Sequence, residues 1–141
     1  MITAYTDGGS RGNPGPAGYG VRIEDEHGAL IEELHASVGI TTNNVAEYRA
    51  LIAALEWALA HGHTHVRVRA DSELLVKQMR GEYRVKHPGL QPLYEEARTL
   101  AARIGRVTYE HVRREANKEA DRLANAAMDA AAASAGVSNE N

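Results

Sequence analysis

Four acidic residues of this sequence lie near the ends of predicted strands and helices, namely Asp7, Glu47, Asp71 and Asp121. Carboxylates in such positions can converge on a hard cation such as Mg²⁺, which prefers oxygen ligands and keeps part of its hydration shell. Four carboxylates can hold two ions, and two ions about 3.5–4 Å apart stabilise both the attacking and the leaving oxygen of an in-line phosphoryl displacement. The residue types therefore suggest metal-dependent phosphoryl transfer, provided that the fold brings these side chains together.

Each acid also has a structural explanation, which the sequence alone leaves open. Asp121 lies in the first turns of the last predicted helix, where the helix dipole stabilises a negative charge. Glu47 is harder to explain in this way, because it lies one turn before Leu51 on the apolar stripe of its helix. An ionised glutamate buried there without a partner would be costly. In the structural interpretation, all four acids are helix caps and surface charges of a small α/β protein.

Hydrophobic patterns predict the elements that must position these acids. The predicted strands cover residues 2–7, 18–26, 29–40, 65–70 and 106–112. The predicted helices follow the capping residues Thr41–Asn44 as far as 61, follow Asp71 and Ser72 as far as 79, cover 90–104, and begin at Asn117. This order, βββαβαβα with two helices after the fourth strand, predicts an α/β fold with a five-stranded mixed sheet flanked by helices.

The predicted topology places two of the acids close to each other. A right-handed crossover should join the strand that begins at residue 2 to the one that begins at residue 65. If these strands are parallel neighbours, Asp7 and Asp71 both lie at their carboxyl ends. Open α/β sheets bind their ligands at that edge.

The composition is that of an ordinary globular domain. The 141 residues are 43% hydrophobic and 25% charged, which is enough for one core. We assign residues 1–129 to this domain and the alanine-rich residues 130–141 to a flexible C-terminal tail. The chain contains no cysteine, which excludes disulfides and thiolate zinc sites.

Charge and hydropathy limit the partners that the chain can have. A net charge of −3 argues against binding nucleic acid through bulk electrostatics, so any such contact must be local. No apolar run approaches the ~18 residues of a membrane span, and the first residues do not form a signal peptide. We therefore expect a cytoplasmic, monomeric protein that does not bind membranes.

A glycine-rich segment follows the first predicted strand, with six glycines between residues 8 and 20. It does not match a dinucleotide-binding fingerprint, because two prolines interrupt it and a strand follows instead of a helix. A backbone with few side chains can approach a nucleic-acid minor groove closely, and Asn13, Asn43 and Asn44 offer donors and acceptors for sugar hydroxyls and base edges. A plain tight turn is the alternative.

Four segments occur in an order that is typical of one known family, namely Asp7–Gly20 (DGGSRGNPGPAGYG), Thr41–Glu47 (TTNNVAE), Ala70–Ser72 (ADS) and Asn117–Ala124 (NKEADRLA). Together with the predicted element order, they resemble type 1 ribonuclease H. The resemblance implies that the four acids form the catalytic metal-binding set, with two Mg²⁺ ions during catalysis and Mn²⁺ as a substitute. It also implies hydrolysis of the RNA strand of RNA–DNA hybrids, with 5′-phosphate and 3′-hydroxyl products.

The resemblance further implies a surface for the hybrid. In the family, residues matching the glycine- and asparagine-rich segments contact RNA 2′-hydroxyls, and those matching Thr42 and Asn13 lie near a phosphate of the DNA strand. Tyr83 offers a stacking surface, unless it is a packed linker aromatic, and Arg84 and Lys86 offer phosphate contacts. The predicted nucleic-acid-binding residues are Gly8, Arg11, Gly12, Asn13, Thr42, Asn43, Asn44, Ser72, Tyr83, Arg84 and Lys86.

The sequence departs from the family pattern in two places. Members often carry a histidine in the loop before the last acid, which assists proton transfer and product release, whereas residues 113–117 here are Arg-Arg-Glu-Ala-Asn. Arg113 and Arg114 are therefore candidates for a supporting role near the scissile phosphate, and Asn117 is a further auxiliary candidate. The basic helix and loop that many members insert after the Asp71 helix is also missing.

These departures leave two alternatives open beside hybrid cleavage. One is a nuclease of the same fold that also cuts double-stranded RNA. The other is a module that binds hybrids without cutting them, although such a module would be expected to have lost at least one of the acids.

Overall fold

The computed structural model of the chain describes residues 1–134. Its strands are β1 (Ile2–Ser10), β2 (Gly15–Glu24), β3 (Leu30–Thr41), β4 (His65–Ala70) and β5 (Arg106–His111). Its helices are α1 (Asn43–Ala60), α2 (Glu73–Met79), α3 (Gln91–Ile104) and α4 (Lys118–Ser134), with one 3₁₀ turn at Arg114–Ala116. The strands form one five-stranded sheet in the order β3-β2-β1-β4-β5. The predicted α/β fold with a mixed sheet is confirmed.

The sheet is antiparallel on one side of β1 and parallel on the other. The first three strands pair as antiparallel neighbours, whereas β4 runs parallel to both β1 and β5. The parallel pairing of β1 with β4 ends at Thr6 and Ala70, which are opposite each other. The residues that follow them, Asp7 and Asp71, therefore lie at the same edge of the sheet, as the sequence predicted.

Helices cover both faces of the sheet. Residues of β2 alternate between these faces, so Val21 and Ile23 pack with Leu51 of α1 in the main core, and Gly18 and Gly20 face α4. Helix α1 buries its apolar stripe, which includes Leu51, as the sequence predicted. It also buries several alanines that lie beside this stripe. None of the helices within residues 1–134 has the length and apolarity needed to cross a membrane.

Two predicted boundaries are wrong, and glycine explains the first. The first strand was expected to stop at residue 7, yet β1 continues to Ser10 and pairs with a β2 that begins at Gly15 instead of 18. Glycine has no side chain to pack in a strand, so the pattern favoured a turn. Here the missing Cβ is what the contact requires, because a Cβ on Gly8 would lie 2.3 Å from the backbone of Ala46.

The second wrong boundary is the C-terminal end of helix α4. The flexible tail was expected to begin at residue 130, but α4 continues to Ser134 and buries Ala131. The remainder of the predicted tail, residues 135–141, lies outside the described residues. Of the alanines that suggested a tail, Ala131 joins the buried face of α4, which the earlier Ala120, Ala124 and Ala127 also form.

This packing brings two backbones unusually close together. A Cβ on Gly20 would lie 2.4 Å from the carbonyl oxygen of Ala120, and a Cβ on Gly18 would lie 2.5 Å from the Cβ of Ala127. Small residues on both elements therefore set the distance between β2 and α4. Since α4 carries Asp121, this contact also determines how closely that acid approaches the sheet.

We predict that Gly20→Ala lowers the free energy of unfolding by about 1–3 kcal/mol, because the added methyl group meets helix backbone that cannot move aside without shifting α4. Urea denaturation measures this change. Gly89→Ala is the matched control, since its Cβ would meet only the imidazole end of His87. An equal loss for the two variants would contradict the close packing of α4 on β2.

Candidate active site

Three acids meet at the carboxyl edge of the parallel strands. Asp7 follows the last residue of β1 that pairs with β4, Asp71 follows β4, and Glu47 lies on the second turn of α1. One carboxylate oxygen from each of the three lies within 4.8 Å of the others. Asp7 is the most buried of them, with 8% of its surface exposed.

Glu47 is held in place by groups of the neighbouring segments. The backbone N–H of Gly8 donates a hydrogen bond of 2.8 Å to Glu47 Oε1. The Ser72 hydroxyl, which also caps α2 by accepting from the Leu75 N–H, favours the charged form of Glu47. The close approach that Gly8 permits therefore brings α1 near enough for β1 to orient this carboxylate directly.

Asp121 completes the set from the opposite face of the sheet. It lies in the first turn of α4, and its charge and hydrogen bonding act on Asp7. Arg114 approaches it, with Nη2 3.8 Å from Asp121 Oδ1, and this arginine side chain is 80% exposed. All four acids line one open cleft of about 760 Å³.

The crowding of negative charge raises the pKa of two of the acids. Burial, and then the charges of Asp71, Glu47 and Asp121, raise the pKa of Asp7 well above its ordinary value. Burial and the charge of Asp71 raise the pKa of Glu47 to about 7, although the Gly8 N–H and Ser72 oppose this shift. Ionising all of these groups together is therefore unfavourable unless a cation compensates them.

The donor set fits a divalent cation that prefers oxygen. The carboxylate oxygens of Asp7, Glu47 and Asp71 lie close enough to one another, within 4.8 Å, to bind one ion. They form part of the wall of a cleft that can admit water and phosphate oxygens. The residues that would hold the metal are the three clustered acids, with Asp121 beside them.

The loop between β1 and β2 is tied to the start of α1 by the predicted hybrid-binding asparagines. Asn13 Oδ1 accepts from the Asn43 N–H at 3.0 Å, and Asn43 Oδ1 accepts from the Ser10 N–H at 2.7 Å. Thr42 caps α1 by accepting from the Val45 N–H. The loop is therefore a fixed structure beside the cleft, and both side-chain carbonyl oxygens are engaged within the protein.

The other predicted binding residues lie at different distances from the acids. Arg11 lines the cleft, but its guanidinium is paired with Asp129 at 2.9 Å and with Asn125 at 3.1 Å, both on α4. Gly8 and Asn43 also line the cleft, whereas Gly12 and Asn44 are exposed next to it.

The stretch between α2 and α3 lies away from the cleft lining. Tyr83 is 49% exposed, and the ammonium of Lys77 lies 5.0 Å from its ring centroid. Arg84 and Lys86 are exposed on the same stretch. About half of the Tyr83 side chain is therefore accessible, while Lys77 packs against its ring.

The auxiliary candidates divide into two groups. Arg113 and Arg114 line the cleft and belong to the loop of residues 113–117, which contains no histidine. Asn117 is 1% exposed and precedes α4, with its Nδ2 donating to the Thr6 carbonyl oxygen at 2.9 Å. Direct contact between Asn117 and a substrate is therefore excluded, and any auxiliary role must be exerted through the protein.

Sequence reasoning missed several contacts of the site. Nothing in the pattern indicated that the Gly8 N–H binds Glu47 or that Arg11 pairs with α4, because both depend on tertiary packing. Ser72 was expected to contact nucleic acid, and its role beside Glu47 was not foreseen. The run of glycines was the available signal, since closely spaced glycines indicate close backbone approach.

Comparison with known proteins agrees with this geometry. A family model described as reverse transcriptase-like matches residues 5–127. The bifunctional protein Rv2228c of Mycobacterium tuberculosis is 54% identical over 135 residues, which are 95% of this chain and 37% of that protein. The solved N-terminal RNase H domain of Rv2228c has a TM-score of 0.92 and 51% identity, covering 95% of this chain and 97% of that one.

Two further relatives agree. RNase H1 of Halobacterium salinarum has a TM-score of 0.88 at 42% identity, covering 92% of this chain and 98% of that structure. The chain belongs to the type 1 ribonuclease H family. LC11-RNase H1, whose structure was solved with an RNA/DNA hybrid, shares the TM-score of 0.88 at 48% identity over 93% of this chain and 99% of that one.

The chain corresponds to only part of the length of the two relatives. The chain spans 37% of the length of Rv2228c and 64% of the length of the ribonuclease HI of Halobacterium salinarum. The family relationship therefore concerns the domain.

Removal of one acid should stabilise the metal-free protein. A raised pKa means that the folded state holds the proton of the acid more tightly than the unfolded state does. This proton binding stabilises the fold below the pKa of the unfolded state, ~4, and the stabilisation is lost as the pH rises through the pKa of the folded state. At pH 8 without metal, Asp7→Asn should therefore increase the free energy of unfolding by about 1–2 kcal/mol.

Thermal denaturation with a chelator, and then with Mg²⁺, measures this effect. Mg²⁺ should raise the melting temperature of the wild-type protein more than that of Asp7→Asn. Glu95→Gln, a change of an exposed acid on α3, should leave the response to Mg²⁺ unaltered. A lower stability of Asp7→Asn in the chelator would show that the acids do not repel one another as described.

Proposed function

We propose that this domain is an endoribonuclease that hydrolyses the RNA strand of RNA–DNA hybrids. The observation that carries the proposal is the convergence of four carboxylates on one open cleft, beside a rigid loop of glycines and asparagines. The hybrid bound to LC11-RNase H1, a relative with 48% identity, supports the choice of substrate.

The four acids would hold two Mg²⁺ ions, and Mn²⁺ would substitute for them. When bound, such ions lower the pKa of a coordinated water and stabilise the negative charge on the phosphate and the leaving oxygen. Asp7, Glu47 and Asp71 supply the clustered oxygens, and Asp121 adds a carboxylate from α4. The expected products carry 5′-phosphate and 3′-hydroxyl ends.

The protein itself orients the charged groups before substrate arrives. The Gly8 N–H fixes one oxygen of Glu47, and the paired backbones of β1 and β4 fix Asp7 and Asp71 relative to each other. Because Asp7 lies on a strand, Glu47 on a helix and Asp71 directly after a strand, little reorganisation is needed when the phosphate binds.

Recognition of RNA would use the loop beside the cleft. The carbonyl oxygens of Asn13 and Asn43 are occupied within the protein, so their amide N–H groups are the atoms left to donate to sugar hydroxyls and base edges. The small residues around them allow the backbone to approach the minor groove, where 2′-hydroxyls are displayed. Tyr83, Arg84 and Lys86 would contact the DNA strand farther along the duplex.

Cleavage of a strand-labelled hybrid with and without Mg²⁺ tests the proposal. The wild-type protein should cut the RNA strand only with the metal, and Asp71→Asn should fold normally but show no turnover, because one of the clustered carboxylates is lost. Glu95→Gln should retain full activity.

The same assay on RNA–RNA and DNA–DNA duplexes separates the alternatives. Equal cutting of hybrid and double-stranded RNA would favour the broader nuclease. Hybrid binding without any product from the wild-type protein would favour the non-cleaving module. Substantial turnover by Asp71→Asn at saturating Mg²⁺ would refute the assignment of the acids.

Arg114 should assist the reaction from the rim of the cleft. Its guanidinium lies near Asp121 and is largely exposed, so it can reach a phosphate that enters the cleft. Arg114→Ala should lower kcat by roughly tenfold, less than the loss of a preorganised buried donor. Arg98→Ala, an exposed arginine on α3, is the control, and an equal kcat for both variants would exclude the role.

A further inference from the structure

The segment between β5 and α4 is hydrogen-bonded to the middle of β1 and to the end of its parallel neighbour β4. The Val112 N–H donates to the carbonyl oxygen of Ala70 at 2.9 Å. The Asn117 side chain donates through Nδ2 to the carbonyl oxygen of Thr6, also at 2.9 Å. These two carbonyl groups belong to the residues immediately before two of the four acids, so the segment fixes the backbone from which those acids extend.

Asn117 also begins the helix that carries the last acid. Its own carbonyl oxygen accepts from the Asp121 N–H at 3.0 Å, which is the first helical hydrogen bond of α4. A single residue therefore links the strand that holds Asp7 to the helix that holds Asp121, through its side chain on one side and its backbone on the other.

Helix capping does not account for this side chain. An asparagine that caps a helix accepts a backbone N–H with its side-chain oxygen. Within residues 1–134, Asn117 Oδ1 is buried without any hydrogen-bond partner. A buried amide with one end unpaired costs stability, and an apolar residue would avoid that cost. The contact that the amide does make, to Thr6, is therefore its distinguishing feature.

We infer that Asn117 is a positioning residue that sets the separation between the carboxylates of Asp7 and Asp121. The inference rests on the proposed function, because it concerns the same metal-binding acids. Asn117 is too deeply buried to touch substrate, so it acts through the two segments that it joins. Without the Nδ2 donor, the part of β1 that precedes Asp7 and the start of α4 are no longer held together, and the acids bind the ions less well.

Asn117→Ala and Asn117→Ser remove the donor. Serine retains a preference for helix starts, so it carries the test if the alanine variant does not fold. Thr3→Val is the matched control. Thr3 is another buried residue of β1, and the change removes the hydrogen bonds that its Oγ1 accepts from Arg67 Nη2 at 3.1 Å and Nε at 3.3 Å, near the start of the strand.

Two readouts distinguish positioning from general stability. Titration with Mn²⁺, followed through the electron paramagnetic resonance signal of the free ion, gives affinity without catalysis. Steady-state cleavage of a hybrid at several Mg²⁺ concentrations gives kcat and KM. Both Asn117 variants should bind Mn²⁺ about 10–100-fold more weakly and lose kcat to a similar extent, with an unchanged KM for the hybrid and partial recovery at high Mg²⁺.

Thr3→Val should retain wild-type Mn²⁺ affinity and kcat even where its melting temperature falls as far as that of the Asn117 variants. Equal Mn²⁺ affinities for Asn117→Ser and Thr3→Val would overturn the inference. If the wild-type protein binds Mn²⁺ but leaves hybrids intact, the proposed function fails, whereas the Mn²⁺ comparison still decides the role of Asn117.

Discussion

Repulsion among carboxylates is the constraint on which this structure depends. Burial and neighbouring charges raise the pKa of Asp7 and Glu47, so the fold without metal holds groups that favour separation. The structure opposes this tendency with backbone contacts: the Gly8 N–H on Glu47, the parallel pairing of β1 with β4, and the close packing of α4. Each of these contacts is made by a backbone group or a very small residue, which has little freedom to adjust.

The sequence could predict those parts of the fold that follow from local patterns. Alternation and helical stripes located all five strands and the four helices, and the parallel crossover brought Asp7 and Asp71 to one edge. Glu47 was identifiable because a glutamate on an apolar stripe requires a partner. These inferences succeed because they depend on periodicity and topology, which the chain expresses over short stretches.

The remaining features depend on tertiary contacts that local patterns do not express. Glycines at 8 and 9 indicated a turn, whereas the structure uses them to extend β1 between α1 and α4. The alanine run from residue 130 suggested a flexible tail, yet α4 continues through it to Ser134, and the earlier alanines Ala120 and Ala127 let the helix lie against Gly20 and Gly18. Asn117 was a suitable residue to begin a helix, and its contact with Thr6 could not be inferred from its position in the sequence.

The central position of β1 also affects the order in which parts of the chain can fold. The hydrogen bond between Asn117 and Thr6 joins residues 111 positions apart, and the helix that follows Asn117 carries the last acid. The first three strands and α1 can associate early, because their contacts are closer in sequence. In a nascent chain whose α4 is still inside the ribosome, only three of the four acids have emerged, so the proposed metal site is complete only after this helix docks.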